Sequence, residues 1–330
     1  MAFSVSRYSF RNPEARDTTF DIARAICALY IVCFWHALDY LDPGFLSERA
    51  RQVFSALAQV ALGSFTFMSA YFLKRYEIRS GRDVLKFYEG RFKRFWPLYF
   101  IASLLLYLGG SLYGAAWYPS FTDFFLSLLG LPFFVNPLPR TMWYMAILMF
   151  FYWITPLILA LRGGGGYKKD IPALALALAL LFLLRKNFDS RILLHSAIFA
   201  AGLSIPEGPV SLIKKHALCF AVSGCLLLAS LLYFRQATAL IVCAGVVSLV
   251  AVSARLSRAK CVSAAATLIS YSSLCMYLFH RHIYALFTRI PAGKPLSGLL
   301  VFALVCPCII LCSYAMQRAY DYGTEIKCRQ

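Results

Sequence analysis

Negative charge is what this chain has least of. Asp and Glu number 15 against 33 Lys and Arg, and charged residues of both signs fill only 15% of 330 positions. A soluble domain of this length needs a larger polar surface, so a chain that is 60% hydrophobic reads as an all-α protein integral to a membrane. Its 11 Cys form no CxxC pair and no zinc-ligand spacing; the closest two, Cys306 and Cys308, flank Pro307 inside an apolar run. They read as small apolar fillers, and no metal is expected. The run Arg162-Gly163-Gly164-Gly165-Gly166-Tyr167-Lys168-Lys169 lacks the spacing of a phosphate loop and reads as a flexible linker. A span-to-span repeat is also missing, which weighs against a transporter or flippase for lipid-linked sugars, the main alternative to an enzyme.

What the chain has in quantity is apolar windows of membrane length. Ten spans are expected, near 20–40, 54–73, 95–116, 141–161, 171–184, 192–206, 216–234, 238–254, 263–285 and 297–317. They form one polytopic domain over 1–330, with short cytoplasmic tails at 1–19 and 318–330. No cleavable signal is evident at the polar N-terminus. Sorted by side, 22 of the 33 Lys and Arg fall with the two tails, a bias that puts both termini in the cytoplasm of a multi-pass cell-membrane protein. The same asymmetry explains the net charge of +18 without nucleic acid. Membrane lipids are the expected surroundings, and the basic run 74–94 favours anionic ones.

The first window, Phe20 to Tyr40, carries Asp21, Arg24, His36 and Asp39. Ionisable groups cost several kcal/mol each inside a bilayer, so four in one span point to use. Arg24 and His36 lie about 18 Å apart along a helix axis, one near a membrane face and the other deep in the far half. A second concentration follows the second span, where Arg91, Lys93 and Arg94 precede Trp96-Pro97-Leu98-Tyr99. Arg91 and Arg94 are helix neighbours, and Pro97 suits a first turn, so a helix start beside two arginines is expected to receive phosphate. Trp143 and Tyr144 fall at the fourth span's interface, and Tyr277 and His280 in the outer half of the ninth, at about the depth of His36.

In chain order, Asp21-x-x-Arg24 leading to His36, Ser69 to Leu73, Phe87-Tyr88-x-x-Arg91-x-x-Arg94-x-x-Pro97-Leu98-Tyr99, Trp143-Tyr144 to Pro156, and Ser270 to His280 resemble the membrane-bound acyltransferase-3 family. That resemblance implies an O-acyltransferase of about ten helices. It would take acetyl or another acyl group from cytoplasmic acyl-CoA and place it on a hydroxyl of a sugar, surface glycan or lipid-linked sugar. It ties activity to His36, Arg24, Arg91 and Arg94. His36 is then the expected base, with Asp39 one turn on to orient its ring and Arg24 assisting; Arg91, Arg94, Lys93 and Tyr99 hold the donor. Trp143, Tyr144, Tyr277 and His280 are wall candidates for the substrate.

One departure stands out. The family pattern has ten residues between Arg and His; this chain has eleven, which rotates an ideal helix by roughly 120° between them. A π-bulge would restore the shared face, or the two residues serve separate places, which the axial separation favours.

Overall fold

The computed structural model describes residues 17–40, 46–109, 118, 120–131, 141–162, 190–233, 238–289, 298 and 301–327. The expected span 171–184, the glycine run 163–166, most of the N-terminal tail and Cys328 lie outside them. Among the described residues every regular element is helical. In chain order they are α1 (Thr18–Ala28), continued by a π-helical segment (Leu29–Trp35) and a 3-10 turn (Ala37–Tyr40), α2 (Glu48–Leu73), α3 (Gly81–Leu108), α4 (Phe121–Leu128) and α5 (Trp143–Arg162). Then come α6 (Ser190–Ser204), α7 (Glu207–Lys215), α8 (Ala217–Tyr233), α9 (Thr238–Leu256) and α10 (Lys260–Arg289). A second π-helical segment (Val301–Val305) leads into α11 (Cys306–Lys327).

Six of these helical stretches are long and apolar enough to cross a membrane, and up to seven if the bent pair α6–α7 counts as one span. The pair turns by 90° at Ile205 and Pro206, so residues expected as a loop at 207–215 form a helix instead. Its Lys214 pairs with Asp17 at 2.5 Å, and the Lys74 ammonium donates to the Ile205 carbonyl at 2.8 Å. The end of α2, the bend and the start of α1 thus share one end of the bundle.

The largest difference from expectation is α3. No helix starts at Pro97; α3 starts at Gly81, behind a capping box in which the Asp83 amide donates to Ser80 Oγ while the Asp83 carboxylate accepts from the Ser80 amide. The Ser80 hydroxyl beside Asp83 also holds its carboxyl below the usual range, so this cap is intact at neutral pH and is lost as the pH falls through that lowered value. Pro97 lies inside the helix, where it has no N–H for the carbonyl of Lys93. The freed carbonyl accepts from the Tyr320 hydroxyl of α11. The proline therefore ties two helices together instead of opening one, and the helix-dipole argument for phosphate at this point falls away.

Close helix approach rests on small residues. A Cβ on Gly202 of α6 would lie 2.6 Å from the Phe67 carbonyl oxygen and 2.7 Å from Ala70 Cβ of α2. Backbone cannot yield to it as a flexible side chain would. Gly202→Ala should therefore cost about 1–3 kcal/mol, read as a lowered unfolding midpoint of the detergent-solubilised protein.

Candidate active site

Three helices carry the site, and they run in the same direction. Asp21 of α1 accepts from Ser270 of α10 at 2.8 Å, and eleven residues later the Val32 carbonyl accepts from Tyr284 of α10 at 3.1 Å. On α3, Arg94 lies within electrostatic reach of Tyr271 of α10 and Asp321 of α11, and eight residues later the Ala102 backbone bonds the His282 imidazole of α10. Arg24 and Arg94 therefore meet α10 near Ser270 and Tyr271, at one level. His280 stands nine residues further along, about 14 Å by helical rise.

At the deeper level the first span changes its winding. Over Leu29–Trp35 it is π-helical, with the His36 amide donating to the Ile31 carbonyl at 3.0 Å. One residue absorbed in the wider turn lets the twelve steps from Arg24 to His36 rotate as eleven would, bringing both residues back to nearly one face. The bulge that could restore the face is present, and the axial separation still keeps the two residues at different depths. Such segments gather at functional sites.

His36 is buried, and its imidazole stacks face to face on that of His280, with centroids 4.7 Å apart and planes within 1°. His280 is wholly buried, and its Nδ1 faces the carbonyls of Met276 at 3.1 Å and Tyr277 at 2.8 Å. Carbonyls only accept, so Nδ1 carries the proton and Nε2 the lone pair. Neither His280 Nε2 nor the buried His36 Nδ1 has a hydrogen-bond partner among the described residues. Tyr277 lies against both imidazoles, with ring centroids at 6.0 and 6.3 Å, and donates its hydroxyl to the Thr141 carbonyl at 2.6 Å.

Asp39 lies close by but turns elsewhere. Its carboxylate, 52% exposed, takes the Arg281 guanidinium at 2.7 Å, and no hydrogen bond joins it to His36. Arg281 also donates from Nε to Thr141 Oγ1 at 3.0 Å and from Nη1 to the Tyr40 hydroxyl at 3.5 Å. This buried guanidinium fastens the end of the first span to the start of α5. Thr141 itself has φ of 66°, a left-handed conformation costly for a β-branched residue. It presents its carbonyl to Tyr277 and its hydroxyl to Arg281.

The wall candidates form a connected layer. Tyr144 lies 5.8 Å from Tyr277, centroid to centroid, and its hydroxyl shares Thr66 with His195 Nδ1. Trp143 carries the Arg191 guanidinium over its ring at 4.4 Å.

At the other level, Arg91 donates to the Tyr76 hydroxyl at 3.1 Å and lies over the rings of Tyr76 and Tyr152. Arg94, three residues on, is exposed. Among the described residues no carboxylate lies within ion-pair distance of either guanidinium, whereas Lys93 is taken by Glu89 at 2.5 Å and Arg24 sits 3.7 Å from Asp21 and over Phe72. Tyr99 belongs elsewhere: it is fully buried and its hydroxyl lies 3.0 Å from the Ser127 carbonyl and 3.1 Å from Ser127 Oγ, joining α3 to α4.

A family model for an acyltransferase domain matches residues 17–318, nearly the whole chain and both levels of this arrangement. The chain belongs to the acyltransferase-3 family. No curated protein and no solved structure matches it. In an acyltransferase the two levels acquire chemical meaning, since a transferase must hold a donor and activate an acceptor.

Three parts of this acyltransferase-3 site were not singled out from sequence. Arg281 follows His280 directly, and a charge inside an apolar span is a readable signal. Thr141 gives no such signal, because its role comes from its backbone conformation. Asp321, which accepts from Tyr271 at 2.5 Å and from Gln317 at 3.0 Å beside Arg94, sits in a segment that reads as a plain tail.

Proposed function

We propose that this acyltransferase moves an acyl group, acetyl in the simplest case, from cytoplasmic acyl-CoA to a hydroxyl of a sugar, as part of a surface glycan or lipid-linked precursor. The donor's phosphates dock on Arg91 and Arg94, and the thioester reaches inward to His36. One observation carries this reading: two neighbouring guanidinium groups with no carboxylate at ion-pair distance among the described residues, on a helix parallel to the two that carry a buried imidazole stack about 14 Å further along.

The chemistry follows from those groups. His36 removes the proton of the acceptor hydroxyl, whose oxygen bonds to the thioester carbon. The tetrahedral intermediate then expels the CoA thiolate, which takes the proton back from His36. An imidazole suits the task because it exchanges a proton near neutral pH. The Arg281 guanidinium adds a fixed positive charge beside the developing oxyanion and, through Asp39 and Thr141, holds the outer end of the site in shape.

The test uses membranes containing the full chain, supplied with acetyl-CoA labelled in the acetyl group. Label should pass to a glycan or glycolipid fraction, with release of CoA, and membranes without the chain should give neither. Donors of longer acyl chain extend the same assay. Absence of transfer from every acyl-CoA would refute the reading.

A further inference from the structure

Both imidazoles of the stack offer nitrogen to a buried site, and one hydroxyl cannot serve both. His280 Nδ1–H is taken by the carbonyls of Met276 and Tyr277 on its own helix, which leaves Nε2 a pure acceptor, buried and without a partner among the described residues. His36 cannot supply the missing donor. Imidazole nitrogens bond in the plane of the ring, and with planes within 1° the lone pairs of the two rings run side by side rather than toward each other. Arg281, the nearest cation, directs its N–H groups to Thr141, Tyr40 and Asp39. Leaving a buried acceptor unmet costs free energy that a bound donor would recover. The reacting hydroxyl has a single proton, and in the reaction above that proton goes to His36.

We propose that His280 is a substrate-binding imidazole, its Nε2 accepting a hydrogen bond from a second O–H or N–H donor on the acceptor, next to the hydroxyl that is acylated. This assignment rests on the acyl-transfer reading and narrows its substrate class. The acceptor is a polyol or amino sugar with a free donor on the carbon adjacent to the reacting one, and an isolated hydroxyl is a poor substrate. His280 undergoes no change of protonation in this role. It positions the sugar ring so that the hydroxyl facing His36 is presented to the thioester.

The experiment takes membranes containing the full chain with labelled acetyl-CoA and compares His280→Asn with the wild type. The Asn amide reproduces the Nδ1–H donor toward Met276 and Tyr277 but removes the Nε2 acceptor. Transfer to the acceptor should fall about ten- to hundredfold, while binding of labelled CoA stays as in the wild type, because the arginine level lies about 14 Å away along α10. Transfer within twofold of the wild type would overturn the assignment. The wild-type product gives an independent arm: once purified and its acyl position located by NMR, it should carry the acyl group beside a free hydroxyl or amide N–H. An acyl group on a carbon whose neighbours bear no such donor would also overturn it, even if His280→Asn fails to accumulate. If the wild type transfers no label from any acyl-CoA, the acyl-transfer reading itself has failed; active wild type with fully active His280→Asn sinks the His280 role alone.

Discussion

His36→Phe should reduce acyl transfer by about a thousandfold, within the range that a positioned base supplies. Phenylalanine is the informative replacement because it keeps a flat ring for the stack on His280, whose centroid lies 4.7 Å away, and removes only the nitrogens. The π-helical turn ahead of it, built from Leu29–Trp35, meets position 36 through the backbone, whose amide donates to the Ile31 carbonyl and is kept by the substitution. Folded protein should therefore accumulate normally and bind labelled CoA as before, because the arginine level is about 14 Å away along α10. The readout separates chemistry from binding: turnover collapses while donor affinity holds. His36→Phe membranes that transfer label at more than a tenth of the wild-type rate would remove His36 as the base. His36→Ala is the weaker variant, since it leaves a hole beside a buried ring as well as removing the nitrogens.

Much of this site can be seen in the sequence because membrane insertion makes ionisable residues conspicuous. Arg24 and His36 stand out in apolar surroundings before any coordinates are known, Arg91 and Arg94 close the basic run 74–94 just ahead of an apolar one, and the eleven-residue gap between Arg24 and His36 raises the question of a π-turn. The start of α3 was equally open to reading: Ser80-x-x-Asp83 is a capping-box pattern. Pro97 obscured it. A proline fits both the first turn of a helix and the interior of one with a spare carbonyl, and only Tyr320, 227 residues from the Lys93 whose carbonyl it meets, distinguishes the two. Arg281 shows the same limit. Its position beside His280 is plain, but its partners Thr141 and Tyr40 lie 140 and 241 residues away, and no local period connects them. Asp39 was expected to orient His36 from helical spacing alone. The chain there is a 3-10 turn, and the carboxylate reaches a fully charged guanidinium instead.

Arg91→Ala combined with Arg94→Ala should weaken acyl-CoA binding by about a hundred- to ten-thousandfold, since each charge-assisted phosphate contact is worth about 1.5–3 kcal/mol. Arg94→Ala alone separates ligand binding from folding most cleanly. Arg94 is exposed, makes no ion pair within the described residues, and stands beside the like charge of Arg91. Removing it relieves that repulsion and gives up the attraction of Asp321, two opposed effects, so stability should hold while donor affinity drops about ten- to hundredfold. A purely structural arginine would show the opposite pattern, with stability and affinity falling together. Arg91→Ala forfeits in addition the bond to Tyr76 and the ring contacts with Tyr76 and Tyr152, and should lower the unfolding midpoint. Salt gives a further check. With both arginines present, donor affinity should fall steeply as ionic strength rises; in the double variant the slope should flatten, because exposed charges more than a Debye length of about 8–10 Å from the phosphates contribute little. An unchanged slope would place the donor's phosphates elsewhere on the basic face, with Lys93, Lys86 and Arg82 the nearest alternatives on the same stretch of chain.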